Sequence, residues 1–206
     1  MANANQILTG PQLVSDGAVI GARGGRLGDT IVSELNGRYY EQVYRGNCFM
    51  VASQAVATTT VGLATTYTGM CLSNPLASGK NLVILQASMM QSVIQATQPE
   101  AYAIATGSSP GTNVTHTTPA TIQQCLVGSA YAAVAKADSA ATLPVAPLYS
   151  VFGTNTASAT VLGNGVLLDI GGSIVLAPGA YAAWVTPAQA SVAGLWFSFL
   201  WQELPI

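Results

Sequence analysis

Leu195-Trp196-Phe197-Ser198-Phe199-Leu200-Trp201 is the stretch that decides how this chain folds. Positions 195, 197, 199 and 201 are all large and apolar, and an alternation of period two places them on one face of a β-strand. The opposite face, Trp196, Ser198 and Leu200, is also mostly apolar. A strand covered on both sides belongs at the centre of a sheet or at a subunit interface.

Working outward from it, Pro178-Gly179 separates Ile174-Val175-Leu176 from Ala180-Tyr181-Ala182, which reads as a hairpin through a type II turn. Gly163-Asn164-Gly165 and Gly171-Gly172 read as further turns. Short runs rich in Val, Ile, Leu, Thr and aromatics give strand candidates at 47–56, 65–72, 81–93, 101–106, 122–127, 147–152, 166–170, 173–176, 180–185 and 194–202. That density of short strands predicts an antiparallel β-sandwich. Alanines over 130–141 fit a short helix or strand and loop. The Thr-, Gly- and Pro-rich stretch 106–121 reads as a surface loop carrying His116.

Charge marks a second boundary. The chain has 206 residues, six of them Lys or Arg and eight Asp or Glu, so only 7% are charged against about 25% in an ordinary domain. Asp16, Arg23, Arg26, Asp29, Glu34, Arg38, Glu41 and Arg45 crowd into one short stretch that is also rich in glycine and lacks sustained periodicity. Residues 1–46 therefore read as an extended N-terminal arm, and 47–206 as the sandwich domain.

The same scarcity narrows function. A net charge of -2 leaves no basic stripe for nucleic acid. The uncharged stretches 46–79 and 170–202 are too rich in Thr, Ser, Gly and Pro to supply the roughly 20 apolar residues of a membrane span. The first residues, MANANQILTGPQL, lack the basic and apolar regions of a secretory signal, so synthesis in a cytoplasm is expected. One histidine cannot build a multi-imidazole metal or catalytic centre. Cys48, Cys71 and Cys125 show no metal or disulfide spacing and read as buried free thiols. The stretch 74–81 lacks the first glycine and the hydroxyl of a phosphate loop. Glu100, Asp138, Asp169 and Glu203 stand alone in apolar sequence, so no acid/base pair is expected. The reading is of a non-enzymatic protein with no cofactor and no metal.

Three tyrosines and two arginines concentrate at Gly37-Arg38-Tyr39-Tyr40-Glu41-Gln42-Val43-Tyr44-Arg45-Gly46. Tyr and Arg are the side chains enriched at interface hot spots, although an ordinary strand with alternating faces has the same spelling. This run, followed by Thr65-Thr66-Tyr67-Thr68-Gly69, Leu72-Ser73-Asn74-Pro75, the stretch 78–83 and the Trp201-Gln202-Glu203-Leu204-Pro205 ending, resembles virion proteins of tailed bacteriophages. The resemblance implies a jelly-roll module that trimerises and sits on the phage head as a cement, decoration or spike protein, bridging neighbouring major capsid subunits. Its interface candidates are Arg23, Arg26, Arg38, Tyr39, Tyr40, Tyr44, Arg45, Trp196 and Trp201. Alternatives are a head-fibre, tail or shell component, or a glycan-binding jelly roll using aromatics such as Trp184 or Tyr102.

Overall fold

The computed structural model describes residues 37–55, 58–59, 65–94, 101–154, 165–186 and 193–206. The chain divides into two compact units, 1–41 and 42–206. Arg23 and Arg26 lie outside the described residues, as does most of the arm.

Among the described residues one short helix, α1 (Tyr40–Tyr44), precedes eleven strands: β1 (Cys48–Ala52), β2 (Thr66–Ser73), β3 (Lys80–Gln91), β4 (Ala101–Ser108), β5 (Thr115–Pro119), β6 (Ile122–Gln124), β7 (Lys136–Thr142), β8 (Leu148–Thr154), β9 (Val166–Leu176), β10 (Ala180–Val185) and β11 (Leu195–Pro205). They form two antiparallel sheets, one ordered β6-β1-β11-β3-β9 and the other β5-β7-β2-β10-β4-β8. From β1 to β4, and again from β8 to β11, successive strands alternate between the sheets. The resulting orders β1-β11-β3-β9 and β2-β10-β4-β8 are those of an eight-stranded jelly roll. Strands β5, β6 and β7 are inserted between β4 and β8 and widen both sheets at one edge.

Between the sheets lies the main core. Trp184 of β10 packs on Phe197 and Phe199 of β11, with both ring-centroid distances 6.2 Å, and Phe49 of β1 stacks on Trp201 at 6.1 Å. Such pairs add about 0.5–1.5 kcal/mol each beyond the burial of their apolar area. The six-stranded sheet has a second cluster on its outer face, where Tyr67, Cys71, Ala103, Ala105, Tyr181, Ala183 and Val185 are covered by Val114, Leu143 and Val145 from connecting segments. Alanines at three of these positions leave the room that the covering segments fill.

Several expectations need correction. The Pro178-Gly179 turn has the expected Ala180 N–H to Ala177 carbonyl bond of 2.9 Å and a Gly179 φ of +86°. It joins no hairpin, however: β9 and β10 belong to different sheets, so the turn is a corner of the sandwich. Gly171-Gly172 is no chain reversal either; it lies in a bulge within β9, whose register against β3 slips between Ile84 and Gln86. The expected loop 106–121 contains β5, all five of whose residues are exposed; of the two readings of the alanine-rich stretch, the structure takes strand and loop, with β7 starting at Lys136. Neither strand has an apolar alternation to announce it; β7 is specified by pairing with β2, and β5 by pairing with β7.

The tyrosine-rich run is also not a strand. Gly46 N–H bonds the Val43 carbonyl and Asn47 N–H the Gln42 carbonyl, both at 3.0 Å, with Gly46 at φ +78°. This is a Schellman motif, and it closes α1 with the residue type that adopts the left-handed conformation at least cost.

Candidate functional site

Two features of the unit 42–206 stand out as places where it can meet other molecules. The first is the outer face of the five-stranded sheet. Register places Gln123, Met50, Leu200, Gln86 and Asp169 in one row across it, and Ala52, Ser198, Ser88 and Leu167 in the next. Trp196 and Met90 form a third, and Cys48, Gln202, Val83 and Val175 a fourth. Asp169 is the one charged residue in these rows. Leu167 is 70% exposed, and Met90 and Val175 are each 51% exposed. The six-stranded sheet covers its own outer apolar face with connecting segments; these rows keep theirs partly in solvent.

The second feature lies where β5, β6 and the segment 131–135 meet. A cavity of ≈ 600 Å³ there is lined by Phe49, Ile122, Gln124 and Tyr131 together with alanines, His116 and Lys136. Beside it the His116 Nδ1 lies 2.6 Å from Asp138 Oδ2; Asp138 is fully buried and His116 is 34% exposed. Asp138, read from sequence as isolated, therefore has a partner, because β5 pairs with β7, Pro119 standing opposite Asp138, and the His116 side chain reaches along the strand to its carboxylate. Its other oxygen, Oδ1, has no hydrogen-bond partner.

Glu203, also read as isolated, is a structural hub. Its Oε1 accepts from the backbone N–H groups of Val134 at 2.9 Å and Ala135 at 3.1 Å, while Oε2 accepts from Lys80 Nζ at 3.1 Å. The carboxylate thereby ties the inserted segment to the last strand.

The sequence-derived interface residues fall into three groups. Arg38 stands over the Tyr39 ring at 5.2 Å, and Tyr40 and Tyr44 are exposed on α1, with Arg45 following. Trp196 is on the outer sheet face, half-buried, its indole N–H donating to Ser92 Oγ at 2.9 Å. Trp201 has to be withdrawn as an interface residue: it is fully buried against Phe49, because odd positions of β11 face the core. Trp184 and Tyr102 are likewise fully buried and cannot present themselves to a glycan.

All three cysteines are free, Cys48 and Cys71 buried and Cys125 partly so. Burial pushes Cys48 up to about 12, with the neighbouring Cys125 adding to the effect, and Cys125 itself up to about 11. At neutral pH these are inert thiols. Among the described residues no cluster of His, Cys, Asp or Glu is arranged to hold a metal ion.

No family model, curated protein or solved structure matches the chain.

Proposed function

We propose that this chain is a structural virion protein, a capsid cement or decoration module that trimerises and bridges neighbouring major capsid subunits on a phage head. The observation that carries the reading is the strand order. The interleaved sheets β1-β11-β3-β9 and β2-β10-β4-β8 make a jelly roll, an architecture used by viral capsid proteins as well as by lectins and cupins. The outer face of the five-stranded sheet supports the assembly part of the proposal. Its rows of Met, Leu, Val, Trp, Ser and Gln carry little charge that association would have to desolvate.

In this reading residues 1–46 act as the arm that engages a neighbouring subunit, through Arg23, Arg26, Arg38 and Arg45 and the tyrosines between them. The test is retention on particles. Purified full-length protein mixed with heads should co-sediment with them, and a chain lacking residues 1–36 should fold but bind more weakly. Equal occupancy by the truncated chain would remove the arm's role. A full-length chain that never co-sediments would sink the capsid assignment.

A further inference from the structure

The cavity beside β6 has a polar demand that the protein leaves unmet. Gln124 is 5% exposed, yet neither its Oε1 nor its Nε2 has a hydrogen-bond partner. A buried amide left with an empty donor and an empty acceptor is costly, and native structures almost always satisfy such groups with protein, water or ligand. Around it the cavity is apolar, with Phe49 and Ile122 among its walls. The Tyr131 ring stands at the same place, 59% exposed; a Cβ added at Gly46 would fall 2.7 Å from its Cδ2 and 2.9 Å from Gln124 Nε2. Gly46, Tyr131 and Gln124 thus close on one another, with the tyrosine ring as the wall that rotation about its side-chain torsions can move.

We propose that this cavity binds an acetamido sugar, an N-acetylhexosamine. The ligand's amide is trans, so its carbonyl and N–H point to opposite sides; its carbonyl accepts from Gln124 Nε2, and a hydroxyl of the sugar ring donates to Oε1, the two Gln124 groups the protein leaves unpaired. Its methyl group occupies the apolar wall of Phe49 and Ile122. The pyranose ring stacks on Tyr131, whose exposed face is the aromatic surface a sugar requires. Lys136, also lining the cavity, donates to a ring hydroxyl, and His116, whose Nδ1–H is held by Asp138, accepts from one through Nε2. A cavity of ≈ 600 Å³ is in the size range of small-ligand sites. The inference is independent of capsid assembly, since it uses no residue of the outer sheet face and none of the arm.

The test is a titration of the full-length protein with N-acetylglucosamine, glucosamine and glucose, followed by ligand-observed NMR. N-acetylglucosamine should bind saturably in the millimolar range, and glucose and glucosamine at least about tenfold more weakly, the worth of a lost amide hydrogen bond. Gln124→Leu should lose the preference for the acetylated sugar. Tyr131→Ala, at an exposed position, should weaken binding by about tenfold without unfolding the chain and serves if the Gln124 variant fails to fold. Equal binding of glucose, or full binding by both variants, would overturn the site. An N-acetylated amino-acid amide that binds as tightly as the sugar would overturn the sugar assignment. Failure to sediment with phage heads would leave all these outcomes untouched.

Discussion

Glu203 Oε2 lies 3.1 Å from Lys80 Nζ, joining β11 to β3, with the glutamate fully buried and the lysine one-third exposed. The same carboxylate accepts two backbone N–H groups from the segment before β7. Glu203→Ala removes an acceptor from four donors at once, the two amides, Lys80 Nζ and the Trp201 indole N–H at 3.4 Å, and is expected to cost about 3–5 kcal/mol. Lys80→Ala leaves the backbone bonds in place and should cost about 1–3 kcal/mol. Urea unfolding followed by tryptophan fluorescence gives both values; a Lys80 variant as damaged as the Glu203 variant would show that the ion pair, not the backbone anchoring, dominates.

The His116–Asp138 pair predicts an asymmetry between its two partners. His116→Ala strands a fully buried carboxylate whose Oδ1 already has no partner, and should cost about 3–5 kcal/mol. Asp138→Asn removes the buried charge while keeping an acceptor for the imidazole N–H, and should stay within about 1–2 kcal/mol of the parent. Thermal and urea melts of the two variants, compared side by side, decide it.

Gly179 sits at the corner where the chain passes from β9 to β10. Its φ of +86° and the 2.7 Å approach of an added Cβ to the Ser109 carbonyl oxygen leave no room for a side chain. Gly179→Ala should therefore destabilise by at least about 2 kcal/mol. Gly111→Ala is the control: nothing lies within 4 Å of its added Cβ, and the substitution should be neutral to within about 1 kcal/mol.

Alkaline stability follows from the thiols. Burial raises Cys48 and Cys125 from an ordinary value of 9.0 to about 12 and about 11. The folded state thus holds these protons more tightly than the unfolded state. Their contribution is fully present below pH 9 and is lost as pH rises from there through the folded values. The urea midpoint should fall steadily above about pH 9, and Cys125→Ala should flatten that decline. A midpoint independent of pH over this window would contradict the burial of these thiols.

Self-association through the outer sheet face predicts that Leu167→Asp and Val175→Asp reduce the assembly state. Both positions are exposed, so each variant should keep the monomer's stability within about 0.5 kcal/mol. Light scattering coupled to size exclusion reads the mass. An unchanged assembly in both variants would move the interface elsewhere.

Much of the fold was legible in particular residues. The alternation over Leu195 to Trp201 identified a strand, and β11 is central in its sheet, because burial of one face imposes a period of two that survives in any tertiary context; the opposite face, expected to be covered as well, is only partly buried. The run Ala180 to Val185 coincides with β10 although both its faces are buried; what marks it is its length and the Pro178-Gly179 turn before it. Gly46 carried an unread signal: a glycine after Tyr-rich sequence is a helix C-cap as readily as a strand end.

By itself the sequence determined an all-β sandwich, a domain of little charge, and a turn at Pro178-Gly179, since alternation, charge and turn chemistry are local properties. Only the tertiary structure decided which strands pair, and so made that turn, read as a hairpin, a corner between sheets. The same long-range pairing turned Asp138 and Glu203 from isolated carboxylates into bonded ones, buried Trp201, and left Gln124 without a partner beside a cavity. Hydrogen bonds between strands join residues far apart in the chain, and no local pattern encodes their choice of partner.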